Sequence, residues 1–69
     1  MPVISVEGPP VSDLDRKRRF VRKLTDAAVE MYSLPESAII VLLRENTADN
    51  VGLSGELLVD RQGGAPQGN

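Results

Sequence analysis

Proton-transfer chemistry in this chain must work without its usual carriers, because the 69 residues include no histidine and no cysteine. A general base must then be a carboxylate, a lysine, Tyr32 or the chain terminus. The terminus stands out. Pro2 directly follows Met1, and removal of Met1, which a small second residue permits, leaves a free secondary amine. An α-amino group titrates at about 7.7–8.0 in peptides. Apolar neighbours, for which Ile4, Ile40 and Val51 are candidates, disfavour its charged form and lower that value. A neutral amine near pH 7 suits the carriage of a proton between oxygen and carbon. Retention of Met1 would instead make the same nitrogen an amide with no basicity.

Two further side chains are candidates. Arg44 lies four residues after Ile40, so in a strand both emerge on one side. There it is expected to bind a substrate carboxylate or to stabilise enolate charge, unless it merely reaches solvent or a neighbouring subunit. Asn46 shares that side and is expected either to polarise a carbonyl or to form a turn. The absent residue types exclude ordinary zinc sites, histidine-based triads, thiolate nucleophiles and disulfides.

These residues need elements to hold them. Residues Pro2 to Glu7 (PVISVE) alternate as a strand, with Pro2, Ile4 and Val6 on one side. The stretch GPPVS ends it, since Pro9 and Pro10 cannot continue a ladder. Ser12 is the expected N-cap, with Asp13 and Asp15 in the first turn. From Asp13 to about Ser33 the apolar residues Leu14, Val21, Leu24, Ala28 and Met31 recur at helical spacing. Phe20 and Ala27 widen that stripe on the core face. Lys17 falls inside the arc, its stem expected to cover the core edge while its amine reaches solvent. Pro35 ends the helix.

The run from Ala38 to Leu43 is apolar at every position, as in a strand covered on both faces. One helix covers one face, so a second copy of the chain must cover the other. Strand, helix and strand predict an α/β protomer, a βαβ unit with parallel strands and a right-handed crossover. TADN reads as a turn and VGLSGELLVD as a short hairpin or docking arm, within a domain of residues 1–61. The glycine-bearing residues 62–69 are expected to be a disordered tail.

A net charge of −2 gives no global attraction to nucleic acid or membrane. No apolar run approaches the ~20 residues of a membrane span, and a cytoplasmic protein is expected. Six of the eight cations lie in RKRRFVRK, Arg16 to Lys23, a run that can track phosphates. Asp13, Asp15, Asp26 and Glu30 on the same helix favour a solvated face with Arg19–Asp26 or Arg22–Asp26 pairs, and nucleic acid is not the expected partner.

The opening PVISVEGP, the capped helix, the strand IIVLLREN and the later VGLSGELL resemble the 4-oxalocrotonate tautomerase family, from Pro2 to about Arg61. The resemblance implies β-α-β protomers joined through their sheets into dimers and commonly hexamers. It also implies a cofactor-free keto–enol tautomerase acting on 2-hydroxymuconate-type acids, with Pro2 as base and then acid. Members carry an arginine just after the first strand, where this chain has GPPVS and no cation before Arg16. Ile40 stands in place of their second arginine, and Val51 in place of an aromatic residue of the arm. Two alternatives stay open: the same fold with a changed proline-dependent reaction, such as hydration or dehalogenation, and a non-catalytic oligomer that binds polyanions through its basic helix.

Overall fold

In the computed structural model residues 1–62 are described, and the expected tail lies outside them apart from Gln62. The first strand, β1, spans Val3–Gly8, beginning one residue after Pro2. Helix α1 spans Leu14–Tyr32, about 28 Å of helix at 1.5 Å per residue. Its N-cap is Asp13 rather than the expected Ser12. The Asp13 carboxylate accepts hydrogen bonds from the backbone N–H of Asp15 at 3.0 Å and of Arg16 at 3.2 Å. Aspartate adds to this bonding a full negative charge at the positive end of the helix dipole, which a serine hydroxyl lacks. At the far end Ser33 turns left-handed, with φ 56°, and its N–H caps the Val29 carbonyl.

The second strand, β2, spans Ile40–Glu45, two residues later than expected, because Glu36–Ala38 form a single 3₁₀ turn after Pro35. β1 and β2 pair in parallel, with Val3 opposite Ile40 and Gly8 opposite Glu45, which establishes the βαβ unit. Pro2 sits outside the strand but is tied to it, because the Ile40 N–H donates to the Pro2 carbonyl at 3.1 Å. Proline loses nothing here, since its carbonyl is the group the ladder uses.

After β2 the chain makes a 3₁₀ turn, Ala48–Asn50, then a hairpin of two-residue strands, β3 (Gly52–Leu53) and β4 (Glu56–Leu57). Its loop is Ser54–Gly55, both at positive φ (54° and 82°), as a two-residue turn between twisted strands requires. A short helix not foreseen from sequence, α2 (Leu58–Gln62), follows at once. Hairpin and α2 form an arm that does not join the main sheet.

Two layers result. Helix α1 lies over the sheet face that carries Ile4, Val6, Val41 and Leu43, all partly covered, while Val3, Ile40 and Leu42 on the opposite face are 37–55% exposed. Only Ala28 is fully buried among the described apolar residues. Phe20, expected on the core face, is 43% exposed. The radius of gyration is 16.1 Å, against about 11 Å for a globular chain of this length. This protomer leaves its apolar surfaces open.

Candidate functional site

The parallel register settles which candidates meet. Ile40 stands beside the start of β1, next to Pro2. Arg44, by contrast, lies opposite Glu7 near the other end of the sheet. At about 3.3 Å per residue, the four-residue step from Ile40 to Arg44 is roughly 13 Å. Pro2 and Ile40 therefore share one end of the protomer, and Arg44, Asn46 and Val51 gather toward the other.

At the Pro2 end the surroundings are apolar. Pro2 is half-buried, Ile4 follows it on the helix-covered face, and Val3 and Ile40 flank it on the open face. The ion pairs nearest this end join Arg22 to Asp26 and to Glu36 in the turn before β2, and none of the pairs of the described residues involves Pro2 or its strand neighbours.

The opposite end is polar and cross-linked. Asn46 donates to the Glu7 carboxylate at 3.2 Å, and its N–H donates to the Gly8 carbonyl at 2.9 Å. The Arg44 guanidinium lies 3.9 Å from the other Glu7 oxygen. Asn46 thus closes the end of the β1–β2 pairing. Val51 borders a cleft of about 550 Å³ together with Glu7, Pro9, Pro10 and Asn46, and its carbonyl accepts from the Leu58 N–H at 2.8 Å. A second cleft, about 330 Å³, lies between the GPPV loop, the end of the sheet and the start of α1. Val6, Leu43 and Phe20 supply its apolar lining, and Arg16 and Arg44 border it.

Lys17 departs from expectation. Its amine does not end in solvent but ion-pairs with Glu45 at 2.7 Å, both side chains about 30% exposed. The same Glu45 oxygen accepts from the Val11 N–H at 2.9 Å. One carboxylate therefore ties the GPPV loop, the first turns of α1 and the end of β2 together. Bonding from Lys17 first, and from Val11 second, holds the Glu45 carboxyl below its usual value. Glu45 escaped sequence reasoning, although a lysine within an apolar arc calls for a facing acid, and alternation puts Glu45 on the side of Leu43 and Val41.

The basic run of α1 is largely neutralised locally. Arg18 pairs with Asp15 at 2.7 Å, and Arg22 pairs with Asp26 at 2.7 Å and with Glu36 at 2.8 Å. Of the two sequence-predicted pairs, Arg22–Asp26 forms. With Lys17 on Glu45, three of the six cations have partners in the protomer, which weakens the polyanion-binding alternative.

Residues 2–61 match the family model described as "Tautomerase enzyme". The chain belongs to the tautomerase family. Crystal structures agree with the fold. DmpI from Archaeoglobus fulgidus is 46% identical and superposes with a TM-score of 0.73, over 83% of this chain and 97% of that one. A 4-oxalocrotonate tautomerase homologue is 30% identical with a TM-score of 0.81, over 91% of this chain and all of the other. A heterohexamer 4-oxalocrotonate tautomerase from Chloroflexus aurantiacus, at 14% identity, shares the fold with a TM-score of 0.76, over 90% of this chain and all of that one. No curated protein sequence matches. This tautomerase-family protein thus has the β-α-β architecture expected of it, with a C-terminal hairpin. Among its described residues no helix is long and apolar enough to cross a membrane.

Proposed function

We propose that the chain is a cofactor-independent keto–enol tautomerase of the cytoplasm, acting on 2-hydroxymuconate-type unsaturated 2-hydroxy or 2-oxo acids, with Pro2 as its proton carrier once Met1 is removed. The observation that carries this reading is the setting of Pro2 within a chain of the tautomerase family. The ring is anchored through its carbonyl at the mouth of the sheet, half-buried beside the apolar Val3, Ile4 and Ile40, a setting that disfavours its charged form.

In the reaction, the neutral ring nitrogen accepts the enol hydroxyl proton as the C–O bond becomes a carbonyl. Electrons shift along the conjugated chain, and the protonated nitrogen returns a proton to a carbon further along it. The amine ends the cycle as it began. Arg44 binds a substrate carboxylate or the developing enolate charge, Asn46 and Val51 line the site, and Ile40 keeps the amine end apolar. Because Arg44, Asn46 and Val51 lie far from Pro2 within one protomer, the working unit is a self-associated one, homohexameric in this reading, with sites at subunit contacts. The open apolar sheet face of Val3, Ile40 and Leu42 supports self-association.

Intact mass of the purified protein, followed by ultraviolet-monitored ketonisation of 2-hydroxymuconate, tests the proposal. The expected mass lacks one methionine, and Pro2→Ala lowers kcat by about 10²–10⁴ with the assembly unchanged. Full activity with Met1 retained would overturn it. Activity on a related hydratable or halogenated acid, with none on the dienol, would move the reaction to the proline-dependent alternative.

A further inference from the structure

The cleft between the GPPV loop and α1 has a chemistry the reading above leaves unused. Its lining is apolar through Val6, Leu43 and Phe20. Lys17 and Glu45 on its border neutralise each other at 2.7 Å. Arg16, by contrast, has no acidic partner within ion-pair distance among the described residues, because its neighbour Asp15 is held by Arg18 and Asp13 is engaged as the helix cap. Arg44, also on the border, has only the loose contact to Glu7. An apolar trough carrying an uncompensated guanidinium matches an organic anion, a carboxylate on a short hydrocarbon body.

This cleft cannot serve the Pro2 of its own protomer. It lies beside Gly8 and Pro9, and the six residues from Pro2 to Gly8 span about 20 Å of strand, far beyond the length of a six-carbon acid. Symmetry removes the difficulty. When identical strands pair across a two-fold axis they run antiparallel, so the start of β1 in one copy faces its end in the other. The amine end, whose strand neighbours Val3, Ile4 and Ile40 are apolar, then meets the end that has a cation to spare.

We propose that Arg16 is the carboxylate-binding cation of the site and that it acts on substrate held at the Pro2 of a second copy. The inference rests on the tautomerase reading for its use of Pro2, but the binding of a diacid at Arg16 can be measured without turnover. The guanidinium takes one carboxylate in a bidentate, charge-assisted bond, the hydrocarbon chain lies along Val6 and Leu43, and the far end of the acid reaches the partner's amine. The arginine missing from the strand-end loop is thereby replaced from the first turn of α1.

Titration calorimetry with adipate, an unreactive six-carbon diacid, reads the cleft directly. Arg19→Ala protein, altered on the same helix outside the cleft lining, should bind adipate as the parent does. Arg16→Ala should bind at least about tenfold more weakly, as loss of a hydrogen bond to a charged group implies, with Arg16→Lys in between. Equal affinity in parent and Arg16→Ala, or no binding in either, overturns the proposal even if Pro2→Ala abolishes turnover. Sharing between copies has its own test. Pro2→Ala and Arg16→Ala chains, each impaired alone, are unfolded together and refolded as a mixture. Random two-fold pairing rebuilds an intact site in about a quarter of positions, so activity on 2-hydroxymuconate should rise to about that fraction of the parent's. A mixed assembly no more active than its components would rule out sharing.

Discussion

The two ends of the β1–β2 sheet are made of opposite materials. At the Pro2 end the chain places Val3, Ile4 and Ile40, and a backbone hydrogen bond ties Pro2 to β2. At the Gly8 end Glu7, Arg44, Asn46, Lys17 and Glu45 form a lattice of ion pairs and hydrogen bonds. A proton-carrying amine and a carboxylate-binding cation need these opposed settings. An acid beside the amine would hold it charged, and an apolar setting around an arginine alone would penalise its charge. Separating them along one strand satisfies both needs, at the condition that a site draws on two copies.

The largest effect breaks the comparison at its amine end. Pro2→Ala should lower kcat by about 10²–10⁴ and leave KM little changed, whereas Arg16→Ala should act mainly on KM. Steady-state kinetics on one dienol separates the two, and a shared pattern would deny the division of labour. Next comes the open face that lets copies meet. Leu42, 44% exposed in the protomer, is placed for burial between copies, and Leu42→Asp buries an unpaired charge there. The expected loss is about 3 kcal/mol or more, seen in sedimentation as dissociation at micromolar concentration.

Smaller effects sharpen the polar end. Asp13→Ala removes the cap of α1 and with it about 1 kcal/mol, measured as a lowered Tm at fixed protein concentration. The Glu45 tether should be sensitive to acid. Its carboxyl is held below the ordinary value by Lys17 and Val11, so its contribution is complete above the ordinary carboxyl value of 4.5 and is lost as pH falls through the lower folded value. Protection of the Val11 amide, measured against its intrinsic exchange rate, should fall over that range. In Glu45→Ala it should be low already at neutral pH and lack this dependence.

The βαβ order was legible because periodicity changes cleanly: alternation in PVISVE, a helical repeat from Leu14 to Met31, and an unbroken apolar run near Ile40. Boundaries slipped where two residues compete for one task. Ser12 and Asp13 both cap well, and charge favoured the aspartate. Ala38 is apolar enough for a strand but is held in the turn that follows Pro35. Phe20 was misjudged because a helical wheel shows the width of an apolar arc but not the width of the sheet beneath it, and a two-stranded sheet is narrower than the arc. Pro2 was singled out by residue type together with the family resemblance. The role proposed for Arg16 and the tether formed by Glu45 were not legible, because both depend on where the GPPV loop crosses the end of the sheet.

A protomer in which Ala28 alone among the described residues is buried has a consequence for its life in solution. Its native form is governed by mass action, so dilution rather than heat is the first denaturant it meets. A newly made chain has to find its copies before proteases find it. Catalytic output should therefore climb more steeply than the amount of chain until a threshold abundance is passed.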